Sequence, residues 1–205
     1  MEVEKWHNVA FAWAGIFATV SFAIFITLAT NVDSWVFGED LLSTLRHSDN
    51  VDARIFLNLG CVFSGLLLVT FGTGNILYHR NHDQSVGGGL VAIAGIVLIF
   101  IGLITADLSS EVMYNYLEGA FATLMLLSMA VFAAGNWVAD HKVFAGISMI
   151  LFASGVATVV TFSFEMMEAI GICIGLIWIV IESVRLMIEK PNAGGKVGVS
   201  GRVRQ

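Results

Sequence analysis

Residues 162–178 read FSFEMMEAIGICIGLIW, and whether they open a sixth membrane span decides the fold. Two carboxylates, Glu165 and Glu168, stand at the start, and no further charge follows until Glu182. The apolar run Ala169–Ile181 is too short by itself to cross hydrocarbon, which takes about 20 residues. It becomes a full span if its helix starts near Glu165 and runs to about Arg185. Counted, it makes the spans even in number and puts both chain ends on one side; left out, it separates them.

The rest of the chain supports counting it. The 205 residues are 57% hydrophobic and only 13% charged, with a mean hydropathy of +0.84. Soluble domains carry about a quarter charged residues, so the natural solvent for this composition is a bilayer. Five further runs without charge precede the sixth: about 9–30, 55–78, 86–106, 119–138 and 143–162. The first is read as a full span rather than a cleaved leader. Backbone groups in lipid must be satisfied within the segment, and strict alternation is absent, so the spans are helices. The expected fold is therefore all-α, a polytopic membrane protein with a bundle of six transmembrane helices over residues 1–190.

Lys and Arg set the orientation. With six spans, one side holds Lys5, Arg80, Lys142, Arg185, Lys190, Lys196, Arg202 and Arg204, and the other holds only Arg46 and Arg54. That asymmetry predicts a cell-membrane protein with both termini cytoplasmic, N-in and C-in. Trp6, Tyr78 and Trp137 then fall at the inner interface and Trp35, Tyr114 and Tyr116 at the outer one. Residues 191–205, PNAGGKVGVSGRVRQ, have no apolar period and read as a disordered basic tail at the cytoplasmic surface. The longest connection, 31–54, is placed outside, and its GEDLLSTLRH has the pattern of a short amphipathic helix with Leu41, Leu42 and Leu45 toward the membrane.

Small residues predict packing faces. Gly171 and Gly175, Gly60 and Ser64, and Gly88 and Ala92 each stand four apart, a spacing that lets helices approach closely. At 100° per residue Glu168 shares a stripe with Gly171 and Gly175 and should point into the bundle, with Glu165 nearby. Asn58 shares a stripe with Cys61 and Gly65, and Glu118 stands one turn inside the outer end of the fourth span. Three polar groups on three helices are thus expected at similar depth near the outer surface. Carboxylates inside a membrane are costly and are functional candidates by default. For each of them the plainer alternative is a helix cap or an interfacial residue.

DLLSTL (Asp40–Leu45), then IFLNLGCVFSGLLLVTFGTG (Ile55–Gly74), then Glu168 followed by IGLIWIV, resemble the archaeal and bacterial family called domain of unknown function 998. The matching positions are Leu42, Ser43 and Leu45, then Asn58 and Gly60, then Gly65, Leu66 and Leu67, with Trp178 in the last helix. The resemblance covers about residues 10–188 and implies six helices and no established activity. It carries the family's asparagine and final glutamate over to Asn58 and Glu168, while Glu118 stands where the family often has a histidine.

Other chemistry finds no support in the residues. His7, His47, His79, His82 and His141 lie in loops or at span edges rather than paired inside a bundle, which disfavours haem. HRNHD (His79–Asp83) reads as a solvated turn, and Cys61 and Cys173 as small apolar residues. Walker, GxSxG and HExxH patterns are absent, and a net charge of −6 disfavours nucleic acid. No cofactor and no metal site is expected. The outer side carries Asp33, Glu39, Asp40, Asp49, Asp52, Asp107, Glu111, Glu118, Glu165 and Glu168 against two arginines, which favours a cationic partner. The leading expectation is a ligand-binding pocket near the outer surface using Asn58, Glu118, Glu168, Glu165 and Asp40 to hold a cation, a proton or a lipid head group. The alternatives are a lipid-modifying enzyme, with Glu118 or Glu168 as general base and Asn58 as oxyanion donor, and an accessory subunit packed through its glycine faces.

Overall fold

The computed structural model describes residues 2–78, 82–104 and 111–188. The expected tail at 191–205, the residues His79, Arg80 and Asp107, and the side chains of Lys5, Trp6, Tyr78 and Glu111 lie outside the described residues. Within them the chain forms α1 (Glu2–Val32), a 3-10 helix (Leu42–His47), α2 (Val51–Tyr78), α3 (His82–Leu103), α4 (Glu111–Val138), α5 (Lys142–Thr161) and α6 (Phe164–Ile188). All six α-helices are long and apolar enough to cross a membrane. The deciding stretch is indeed helical from Phe164, so the sixth span is complete. Trp13, Phe17, Ile24, Phe63, Phe100 and Val160 stand exposed on the outside of the bundle. An apolar belt of that extent is what lipid solvates and water does not, and the chain is a multi-pass membrane protein.

Successive helices are antiparallel neighbours, and α6 returns to α1 and closes the ring. Phe11 meets Gly74 and Phe25 meets Gly60 between α1 and α2, while Gly15 meets Ser183 between α1 and α6. Both ends of the described chain therefore share one end of the bundle. The tightest seam joins α2 and α3. A Cβ on Gly65 would lie 2.7 Å from the Gly95 carbonyl oxygen, and a Cβ on Gly95 would lie 2.7 Å from that of Gly65. Gly72 and Gly88 repeat the arrangement one level away, so only glycine fits there.

Gly171 and Gly175 do not form such a seam, contrary to their expected role in helix packing. A Cβ at either would meet nothing within 4 Å. The small-residue stripe of α6 faces space, because α4, α5 and α6 stand apart where α1, α2 and α3 close up.

The long connection after α1 is folded locally. Gly38 adopts φ +77, a conformation that suits glycine, and Asp40 Oδ2 accepts the Val36 N–H at 2.9 Å. Trp35 Nε1 donates to the Leu41 carbonyl at 3.1 Å. The expected amphipathic helix is a short 3-10 helix that turns Leu42, Leu45 and Arg46 inward. It plugs the end of the bundle opposite the termini instead of lying on the membrane. Asn50 then joins two spans: its Nδ2 donates to the last carbonyl of α1, Val32, at 2.6 Å, and its Oδ1 caps α2 by accepting the Asp52 N–H at 3.0 Å.

Candidate functional site

The space left by Gly119, Gly171 and Gly175 belongs to a cavity of about 490 Å³ with walls from all six α-helices and the 3-10 helix. That volume lies within the range of roughly 300–1,000 Å³ usual for ligand pockets. Most of its wall is apolar: Phe22, Leu68, Leu98, Met125, Met129 and Ile179. The ionisable side chains on the wall gather at the 3-10 helix end, where Tyr114, Glu118 and Glu168 stand beside Leu42 and Ser43. The cavity has a side opening as well. Gly119 and Ala122 of α4, Val159 of α5, and Phe164 and Gly171 of α6 line it and are exposed. All five belong to spans, so the opening faces where lipid would be.

Glu168 points inward, as its stripe predicts. Its Oε2 accepts the Leu42 N–H at 2.7 Å, which anchors the 3-10 helix over the cavity. Glu118 accepts a hydrogen bond from the Tyr114 hydroxyl one turn earlier and interacts electrostatically with Glu168 and Arg46. These two glutamates are the candidate residues that the fold brings together. Asn58 is on the α3-facing side of α2, with its carbonyl against Gly102, and it does not line the cavity. The general-base reading loses its oxyanion donor on that account. Glu165 is half-buried outside the cavity wall. Asp40 serves its own turn. Among the described residues no group of three His, Cys, Asp or Glu side chains is placed to hold a metal ion.

Two features escaped the sequence reading. Arg46, counted there as an outer loop charge, is 2% exposed. It stacks on the Tyr114 ring at 3.6 Å and donates to the Ile101 carbonyl in the last turn of α3. Tyr114 correspondingly faces the interior instead of the interface, whereas Tyr116 and Trp137 are exposed as interfacial aromatics should be. The available signal was the short apolar period Leu42, Leu45 that carries Arg46 inward with it.

The second feature lies at the termini end. Glu182 and Arg185 of α6 are 0% exposed and pair with one another. Glu182 Oε1 accepts Asn136 Nδ2 and Ser148 Oγ, both at 2.9 Å. Asn136 Oδ1 accepts Gln84 Nε2 at 2.8 Å, and Arg185 Nη2 donates to Asn75 Oδ1 at 3.1 Å. Trp178 Nε1 reaches Ser148 Oγ at 3.2 Å. Helices α2 to α6 all contribute, so this network ties the bundle below the cavity. Arg185, counted as a cytoplasmic loop charge, is part of the interior. Its signal was an opposite charge three residues away on an otherwise apolar helix.

No protein-family model, curated protein or solved structure matches this chain.

Proposed function

We propose that this protein is a lipid-binding protein of the cell membrane that takes a lipid sideways into its bundle and holds the head at Glu118 and Glu168. The observation that carries the reading is the side opening between α4 and the α5–α6 pair, lined within the spans by Gly119, Ala122, Val159, Phe164 and Gly171. A molecule entering there comes from the bilayer. An apolar chamber with its charged groups at one end matches an amphiphile better than a bare ion, for which a narrow polar pit would serve. The carboxylate pair favours a head that is positively charged or donates hydrogen bonds. A proton or a cation at the same carboxylates is the smaller version of that preference.

Two expectations from the sequence join the proposal. Both termini are placed in the cytoplasm. Setting aside the buried Arg46 and Arg185, the remaining charges are Lys5, Arg80, Lys142, Lys190, Lys196, Arg202 and Arg204 against Arg54, which still obeys the positive-inside rule. The resemblance to the domain of unknown function 998 family is kept as the proposed kinship, and it brings no activity with it.

Native mass spectrometry of the detergent-purified chain tests the reading. Lipid should be retained by the wild type and lost from Gly171→Leu, because a Cβ at Gly171 meets nothing within 4 Å and the side chain built on it extends into the mouth. Equal lipid retention in the two proteins, both folded, would remove the cavity from the account.

A further inference from the structure

Tail burial cannot be what makes a membrane cavity selective. A lipid chain leaves one apolar medium for another, so its transfer contributes little. Selectivity must come from the head, and the charges at the polar end state its chemistry. Two carboxylates line the cavity there, Glu118 and Glu168, and none of the lining residues is Lys, Arg or His. One cation acts from behind the wall. Arg46 is buried against the Tyr114 ring and the Ile101 carbonyl, and it interacts electrostatically with Glu118. It is not a lining residue, so it cannot touch a guest, but its charge offsets that of Glu118.

Glu168 has no such offset. Its carboxylate accepts the backbone N–H groups of Leu42 and Ser43, and among the described residues no cation pairs with it. Amide donors carry no net charge. Two carboxylates against one guanidinium leave one negative charge in excess, and an unpaired charge inside a membrane protein is costly. The guest that corrects the count brings a single positive charge. A phosphate on the same head would restore the excess and set a further anion against both glutamates. A calcium ion wants six to eight oxygen ligands, and among the described residues no group of three His, Cys, Asp or Glu could hold a metal. A quaternary ammonium has no N–H to give to carboxylate oxygens, whereas a primary ammonium has three. The chamber is also sized for one chain. Its 490 Å³ equals about sixteen groups of the volume of a water molecule, about 30 Å³ each, and a methylene is of similar size. Two chains of that length do not fit.

We propose that the lipid is a single-chain amphiphile with a primary ammonium head and no phosphate, its N–H groups shared between the carboxylates of Glu118 and Glu168 and its chain in the apolar chamber. This rests on the reading that the cavity holds lipid. It adds the head-group class and the chain number, and assigns Glu168 as the residue that selects for the positive charge.

The test titrates delipidated full-length protein in detergent with six probes and reads bound species by native mass spectrometry. Hexadecylamine is compared with hexadecyltrimethylammonium, which keeps the charge without an N–H, with hexadecanol, which has no charge, and with palmitate, which reverses it. Phosphatidylethanolamine adds a phosphate and a second chain, and butylamine lacks the long chain. The expected result is that hexadecylamine binds at least about tenfold more tightly than any other, the factor that one hydrogen bond to a charged group supplies. Glu168→Gln, which keeps an acceptor for the Leu42 N–H, should erase the advantage of hexadecylamine over hexadecanol. The wild-type series alone can overturn the proposal. Hexadecyltrimethylammonium, hexadecanol, palmitate or phosphatidylethanolamine binding as tightly as hexadecylamine would do so, and equally tight butylamine would show a free-ammonium site instead of a lipid site. If every long-chain probe binds alike and Gly171→Leu abolishes them all, the lipid-binding reading stands and the head-group assignment falls. If none of them binds, both fall together.

Discussion

Glu168 Oε2 accepts the Leu42 N–H at 2.7 Å, so the carboxylate that lines the cavity also holds down the 3-10 helix over it. A hydrogen bond to a charged group contributes about 1.5–3 kcal/mol. Glu168→Ala should lower stability by that order and speed hydrogen exchange at the Leu42 amide. Glu168→Gln, which keeps an acceptor oxygen, should leave that amide protected. A second residue gives a pH signature. The Ser48 hydroxyl, and then the Ser34 N–H, hold the Asp33 carboxyl below its ordinary value of 3.8. Because the folded value is the lower one, the stabilisation is complete above the unfolded value and is lost as pH falls through the folded one. The melting temperature of Asp33→Asn should therefore lie slightly below the wild type at neutral pH and converge with it as the pH falls through the depressed folded value. A gap that stayed constant down the titration would show that the carboxylate charge plays no part. Neither role could be read from residue type alone. Both depend on donors that the folded loop delivers: a backbone N–H from 126 residues away for Glu168, and the Ser48 hydroxyl with the neighbouring Ser34 N–H for Asp33.

At the scale of elements, glycine does opposite things in the two halves of the bundle. Between α2 and α3, Gly65 and Gly95 let the backbones touch. A methyl on Gly95 would stand 2.7 Å from a carbonyl oxygen that cannot swing aside. Gly95→Ala should therefore cost about 1–3 kcal/mol as an overpacked contact, visible as a lower melting temperature. Gly175→Ala on α6, where nothing lies within 4 Å, should leave the melting temperature nearly unchanged. Equal losses in the two variants would show that α6 is packed after all. The spacing of small residues in the two helices is alike, so a sequence pattern cannot tell a packed stripe from one that faces a chamber. That depends on how far apart neighbouring helices stand.

For the whole molecule, the termini end is locked and the opposite end is chambered. The Glu182–Arg185 pair has its hydrogen bonds from α2, α4 and α5, and removing one member of a buried pair costs about 3–5 kcal/mol, because the other is left without its counter-charge. Glu182→Leu alone should destabilise by that order. The double variant Glu182→Leu with Arg185→Met should recover a substantial part of the loss in thermal unfolding, and simple additivity of the two single losses would refute the pairing as the organising contact. The sequence by itself determined the solvent, the number of spans, their near-complete boundaries and the inward aim of Glu168. Long uncharged runs and helical period are local properties, and a bilayer leaves the backbone no other choice. Only the tertiary structure decided that Asn58 does not join Glu118 and Glu168 on the cavity wall, that Arg46 and Arg185 are interior charges, and that Gly171 and Gly175 open a chamber. Each of these depends on which helix stands opposite and at what distance, and the ring is set by contacts between residues far apart in the chain.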